Sequence, residues 1–241
     1  MNDLVSRDPD GLREWGSVDD TRLAPFEWLW LTVVLGVPGL VMALVAALAA
    51  GPFVALGLLV VYVLVVSWWV GRQGRAVLAA QTDARPLQDA EAPRLVSLVR
   101  GVAADLGMEP PRVWIAPGPS NALICRSGAP VLLVRDELPD ELTRTELEAV
   151  VTHCLVRIAS GDLRRASLAA ALGALAGPAG VSNFEAADTR AVSMTRYPPA
   201  LASAIAKARA GGSGTRASFW FVPSDRTRPS QAEREKRLED L

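Results

Sequence analysis

Residues 146–162, ELEAVVTHCLVRIASGD, are the stretch whose reading decides the fold. Thr143, Arg144, Thr145 and Glu146 form a capping box at its start, so a helix is predicted to open here and run to the turn at Ser160, Gly161 and Asp162. The helix carries the chain's single histidine, His153. One turn on, where a second histidine would share its face, stands Arg157, and Cys154 occupies the position between them.

Working outward, half of the 241 residues are hydrophobic and the mean hydropathy is +0.23, high for a soluble domain. The excess lies in two uncharged runs, residues 28–50 and 53–70, each close to the length that crosses a ~30 Å hydrocarbon layer as a helix. They predict a transmembrane hairpin closed at Ala49, Ala50, Gly51 and Pro52, with Trp28 and Trp30 at one end and Trp68 and Trp69 at the other. Arg7, Arg13 and Arg22 precede the pair and Arg72 and Arg75 follow it, while the connection has no base. The positive-inside rule therefore places both termini and the following domain in the cytoplasm, in a multi-pass protein of the cell membrane. Residues 1–27 read as a polar, disordered cytoplasmic arm without a signal peptide, 28–72 as the two spans and 73–241 as the globular domain. The balanced net charge of −1 offers no basic stripe, so no nucleic-acid partner is expected. Cys125 and Cys154 lie in apolar contexts without CxxC spacing and read as reduced core residues of an intracellular chain.

Within the domain, APRLVSLVRGVAADLGM (residues 92–108) predicts a helix ending at Gly107. RVWIAP, NALICR and PVLLVRDEL predict three short strands, the last two a hairpin turning at Ser127, Gly128 and Ala129. SNFEAADTRAVSM and PALASAIAKARA read as helices. Residues 211–214 read as a flexible link, SFWFV as a short strand, and residues 230–241 as a charged closing helix.

Two histidines at i and i+4 would grip a zinc ion, with a glutamate at i+1 polarising the bound water. ELEAVVTHCLVRIASGD resembles the helix of the HtpX-like membrane zinc metallopeptidases, relatives of the CAAX prenyl endopeptidases, which typically reads ELEAVLAHELGHIxxGD. It keeps Glu146, Leu147, Ala149, Val150, His153, Ile158, Gly161 and Asp162. LGMEPPRVWIAPGPSNALICRSGAPVLLVRDEL and NFEAADTRAVSMTRYPPALASAIAKA are similar to further stretches of that family. The resemblance implies an α+β fold, a zincin-like metallopeptidase domain of helices and a small antiparallel sheet behind the transmembrane hairpin. It implies that Asn121 and Ala122 begin the edge strand along which substrates lie. Carried over residue by residue, His153 falls on the first zinc ligand, Cys154 on the general base, Arg157 on the second histidine and Phe184 on the third ligand, with Glu185 one residue out of register. One ligand of three survives, and Arg157 would put a fixed positive charge where the cation belongs.

The expectation is a pseudopeptidase without a cofactor, which acts by binding protein clients or an active homologous peptidase. The alternative is an active membrane zinc endopeptidase of protein quality control whose ligand set is completed or shifted to Glu185. A cysteine-hydrolase reading of Cys154 is disfavoured, because neighbouring helix residues point about 100° apart. Arg157 is expected to replace the metal by bridging to Asp188 or Glu185. Residues 163–183, LRRASLAAALGALAGPAGVSN, are too short to span as a second hairpin, which leaves two crossings.

Overall fold

A proline opens each of the two apolar helices, where its fixed φ suits the first turn and its missing N–H costs nothing. The computed structural model describes residues 24–212, 214–224 and 230–239; of the expected N-terminal arm, residues 1–23 lie outside these. The first helix is α1 (Pro25–Leu31), a π-helical turn (Thr32–Gly36) and α2 (Val37–Ala50) in one continuous rod. The widened turn immediately precedes Pro38, whose ring would otherwise press on the preceding turn's carbonyl. Gly51, at φ 93°, makes the reversal alone, and α3 (Pro52–Ala79) returns. Both helices are long and apolar enough to cross a membrane, and large side chains such as Leu40, Leu44, Leu48, Phe53, Leu56 and Leu64 face outward. The helices outrun the expected boundaries at both ends: residues 25–27 already belong to the first, and α3 continues past Arg72 to Ala79. This extension joins hairpin to domain. At Gly74 an added Cβ would lie 2.5 Å from the Arg126 carbonyl oxygen, so helix and strand backbones meet where only glycine fits.

Four strands follow, β1 (Arg85–Pro86), β2 (Arg112–Ala116), β3 (Ala122–Ser127) and β4 (Ala129–Arg135), in the order β1-β2-β4-β3. β3 and β4 form the expected antiparallel hairpin across Gly128, at φ 79°. β2 and β4 run parallel, however, so the sheet is mixed and not the antiparallel one expected. Loop 117–121 carries the chain beyond the place that β4 later takes, and β4 returns between its two predecessors. β3 is thereby left at the edge.

Helix α4 (Pro93–Asp105) ends at Gly107 with φ 64°, and the short α5 (Leu138–Glu141) leads into α6 (Arg144–Ala159). Thr143 caps α6 as its sequence predicts: Glu146 N donates to Thr143 Oγ1 at 3.4 Å and Thr143 N to Glu146 Oε2 at 2.7 Å. Twelve of the sixteen residues of α6 are buried, so it is the central helix, packed between α4, the sheet, α8 (Phe184–Thr195) and α9 (Pro198–Lys207). Gly161, in the left-handed region at φ 73°, stops it and turns the chain into α7 (Asp162–Leu172). A 3-10 segment (Gly173–Gly180) precedes α8, a second one (Gly214–Phe219) follows α9, and α10 (Gln231–Glu239) closes the described chain.

Two local expectations are corrected here. SFWFV is not a strand: Phe219, Trp220, Phe221 and Val222 are all buried, an apolar run enclosed on both sides, with isolated bridges Leu123 to Trp220 and Gly211 to Pro223. Gly211 and Gly212 are not a free link either, because Gly211 N donates to Val222 O at 2.9 Å and both glycines pack beneath the Trp220 ring.

Candidate functional site

Helix α6 aims His153 and Arg157 at one buried centre. Helix α8 supplies Phe184 and Asp188, α7 supplies Asp162 from its first turn, α10 supplies Arg234, and residues 218–222 close the outside. His153 and Arg157 are both at 0% relative exposure.

Arg157 spends its whole fork. Its Nε and Nη2 donate to Asp162 Oδ2 at 2.7 and 2.5 Å, Nη1 to the Trp220 carbonyl at 3.0 Å, and Nη2 also to the Ser218 carbonyl at 2.5 Å. The guanidinium carbon stands 4.2 Å from the centre of the Phe184 ring. Arg234 does the same from the opposite side: Nε and Nη2 grip Asp188 Oδ2 and Oδ1 at 2.8 and 2.7 Å, and Nη1 donates to the Phe221 carbonyl at 2.9 Å. The expected bridge from Arg157 to Asp188 or Glu185 is therefore replaced by two separate pairs. The turn at Gly161 delivers Asp162 to Arg157 only five residues along the chain, and Arg234 takes Asp188. Glu185 points away, with 63% of its side chain exposed, and meets Arg237 at 3.2 Å. Two cations and two carboxylates sum to zero, as a buried cluster requires if it is not to carry an uncompensated charge.

His153 Nδ1 lies 2.9 Å from Asp188 Oδ1, a close electrostatic contact. Its ring meets Phe221 edge-on at 5.2 Å and lies nearly parallel to Phe184 at 6.3 Å. Burial lowers the imidazole pKa from 6.5 to about 4; Asp188 opposes this, and Arg234 and Arg157 reinforce it. The ring is thus neutral at pH 7. Burial alone would raise the Asp188 pKa, but His153 and the Arg234 fork outweigh it and hold the group well below the usual carboxylate range. Burial pushes the Cys154 thiol up to about 12, so no thiolate is available as a nucleophile. A cleft of about 730 Å³ opens beside the cluster, lined in part by Met108, Val156, Asp162, Phe184 and Arg190, but His153 is not in its wall.

These donors do not fit a zinc ion. Of the three positions implied by the resemblance, one is an imidazole, one a guanidinium and one a benzene ring. Among the described residues no three His, Cys, Asp or Glu side chains converge in the manner of a metal site. The edge strand is also spoken for. Phe221 N donates to the Ala122 carbonyl at 2.8 Å, and Asn121 Nδ2 donates to the carbonyls of Val222 at 3.0 Å and Arg209 at 2.5 Å. Asn121 and Ala122 are buried, so the substrate groove expected there is filled by the chain's own residues. Sequence reasoning missed Arg234, read only as part of a charged closing helix. Its signal was the i, i+4 pairing with Leu238, which puts an arginine on the inner face of α10.

Comparison with known proteins finds distant relatives. Part of the chain is similar to protease HtpX homologues. It is 30% identical over 151 residues to the homologue of Thermococcus kodakarensis, covering 60% of this chain and 51% of that protein. It is 32% identical over 98 residues to the homologue of Pelotomaculum thermopropionicum, covering 39% and 35%. With the homologue of Thermococcus sibiricus the identity is 35% over 92 residues, covering 37% and 32%. The matched region spans between a third and a half of these relatives, and the relationship is distant. No protein-family model and no solved structure matches the chain.

Proposed function

We propose that this chain is a membrane-anchored, catalytically silent relative of the HtpX proteases, a zincin-like pseudopeptidase that works by binding or regulation. The observation that carries the reading is Arg157. At the position of a second zinc-binding histidine it is buried, permanently charged, and committed to Asp162 and two backbone carbonyls. Phe184 at the third-ligand position and the Arg234 fork on Asp188 support it. A ligand set shifted to Glu185 is not favoured, since that side chain faces Arg237 at the surface.

The hairpin spans the cell membrane with both termini and the globular domain in the cytoplasm, the orientation that Arg72 and Arg75 at its foot favour. Because the edge at Asn121 and Ala122 is filled, a client or an active homologous peptidase meets the hairpin or the domain surface, not that strand. Elemental analysis and a casein-cleavage assay on the purified protein test the proposal. The expected result is no stoichiometric zinc and no cleavage. Near-unit zinc, lost together with activity in His153→Ala, refutes it.

A further inference from the structure

Between Arg165 and Glu185 the chain carries no charge. It forms most of α7, the 3-10 segment Gly173–Gly180 and the approach to α8, and it lies against the foot of the apolar hairpin. Leu31 packs with Leu168, Ala176 and Ala179, and Leu35 and Val70 join the same cluster. Leu31 and Leu35 follow Glu27, the last charge before the first apolar run, by about 6 and 12 Å of helix. Val70 lies just before Arg72, the first charge after the second run. The segment therefore sits level with the beginning of the hydrocarbon-facing surface. A belt of side chains marks the same level: Arg72 lies 4.7 Å over the Trp68 ring, Arg164 lies 5.1 Å over Trp28, and Arg165 pairs with Glu27.

The outward side of this segment is apolar. Leu175 and Val181 are 61% and 62% exposed. Its irregular backbone is nevertheless supplied with partners, as backbone at membrane depth must be. Trp30 Nε1 donates to the Leu175 carbonyl at 3.0 Å, Trp69 Nε1 to the Ala171 carbonyl at 3.3 Å, and Val181 N to the Pro178 carbonyl at 3.2 Å. Gly177, at φ 50°, lets the Trp30 indole come so close that a Cβ would lie 2.5 Å from its nitrogen.

We propose that residues 172–181 are a third, non-spanning membrane contact, which sets Leu175 and Val181 into the boundary between headgroups and acyl chains beside the hairpin. Such elements bury their apolar face ~5–10 Å into that boundary, matching the level of Leu31 and Leu35. The inference rests on the reading of the hairpin as membrane-spanning. It fixes the domain's tilt, because a hairpin alone can tilt in the bilayer and carry the domain with it, whereas a third contact defines a plane.

The test uses the full chain in phospholipid nanodiscs, with an environment-sensitive fluorophore on Leu175→Cys or Val181→Cys. Cys125 and Cys154 are buried and stay unlabelled. Leu40→Cys in mid-span and Arg100→Cys on the outer face of α4 are the reference sites. Labels at 175 and 181 should be blue-shifted and quenched by lipids spin-labelled near the headgroup, the label at 40 by lipids spin-labelled deep in the chain, and the label at 100 by neither. Water-like emission at 175 and 181 with lipid quenching at 40 overturns this inference alone. Loss of lipid quenching at 40 overturns the hairpin reading with it. A blue shift at 175 without lipid quenching means protein covers the patch, such as a second copy, and also overturns the proposal.

Discussion

Removing Arg157 should unravel the centre of the domain. In Arg157→Ala the Asp162 carboxylate, 5% exposed, is left with Oδ2 stripped of two donors and Oδ1 already without a hydrogen-bond partner. The Ser218 and Trp220 carbonyls lose their donors in the same step. Breaking a buried pair from one side costs ~3–5 kcal/mol, and orphaned carbonyls and the emptied space above Phe184 do not reduce that figure. For a chain of this size the loss corresponds to a fall in Tm of roughly 6–20 °C. Arg157→Lys should also destabilise, since an ammonium cannot fork onto Asp162 while reaching two carbonyls. Arg237→Ala is the control: its pair with Glu185 is exposed and contributes ~0–1 kcal/mol. Melting in detergent micelles, followed by near-ultraviolet circular dichroism, reads the packing directly. An Arg157→Ala melt that coincides with that of Arg237→Ala refutes the account of the centre.

Stability should also fall as the pH drops from about 6.5 toward 4. The unfolded chain protonates His153 near 6.5 while the folded chain holds it neutral down to about 4, so the unfolded state binds the extra proton in this window and gains up to ~1.4 kcal/mol per pH unit. Glu146 steepens the loss below 4.5, because Lys207, Ser203 and the Thr143 cap hold its pKa near 2 against burial; urea midpoints that do not change between pH 7 and 5 contradict the His153 contribution. Both thiols, pushed up to about 12 by burial, should resist maleimide at pH 8 until denaturant is added, and rapid labelling of the native protein at either one contradicts their placement.

The parts of the molecule that the sequence determines are those set by neighbours along the chain. Two uncharged runs joined at Gly51 and Pro52 are enough for the hairpin, Thr143 and Glu146 for the start of α6, and Gly128 for the turn between β3 and β4. The parallel pairing of β2 and β4 was not legible, because register and direction depend on which strand returns to which place in the sheet. The centre was half legible. His153 and Arg157 share a face by helical spacing alone, and that face is buried. Its partners were decided by the tertiary structure. Asp162, five residues away, becomes the partner only because Gly161 adopts a left-handed turn. Arg234 reaches Asp188 across 46 residues and the Ser218 carbonyl reaches Arg157 across 61. A buried charge accepts whichever opposite charge and backbone dipoles the packing of apolar surfaces brings within 3 Å, and that packing is a property of the whole chain.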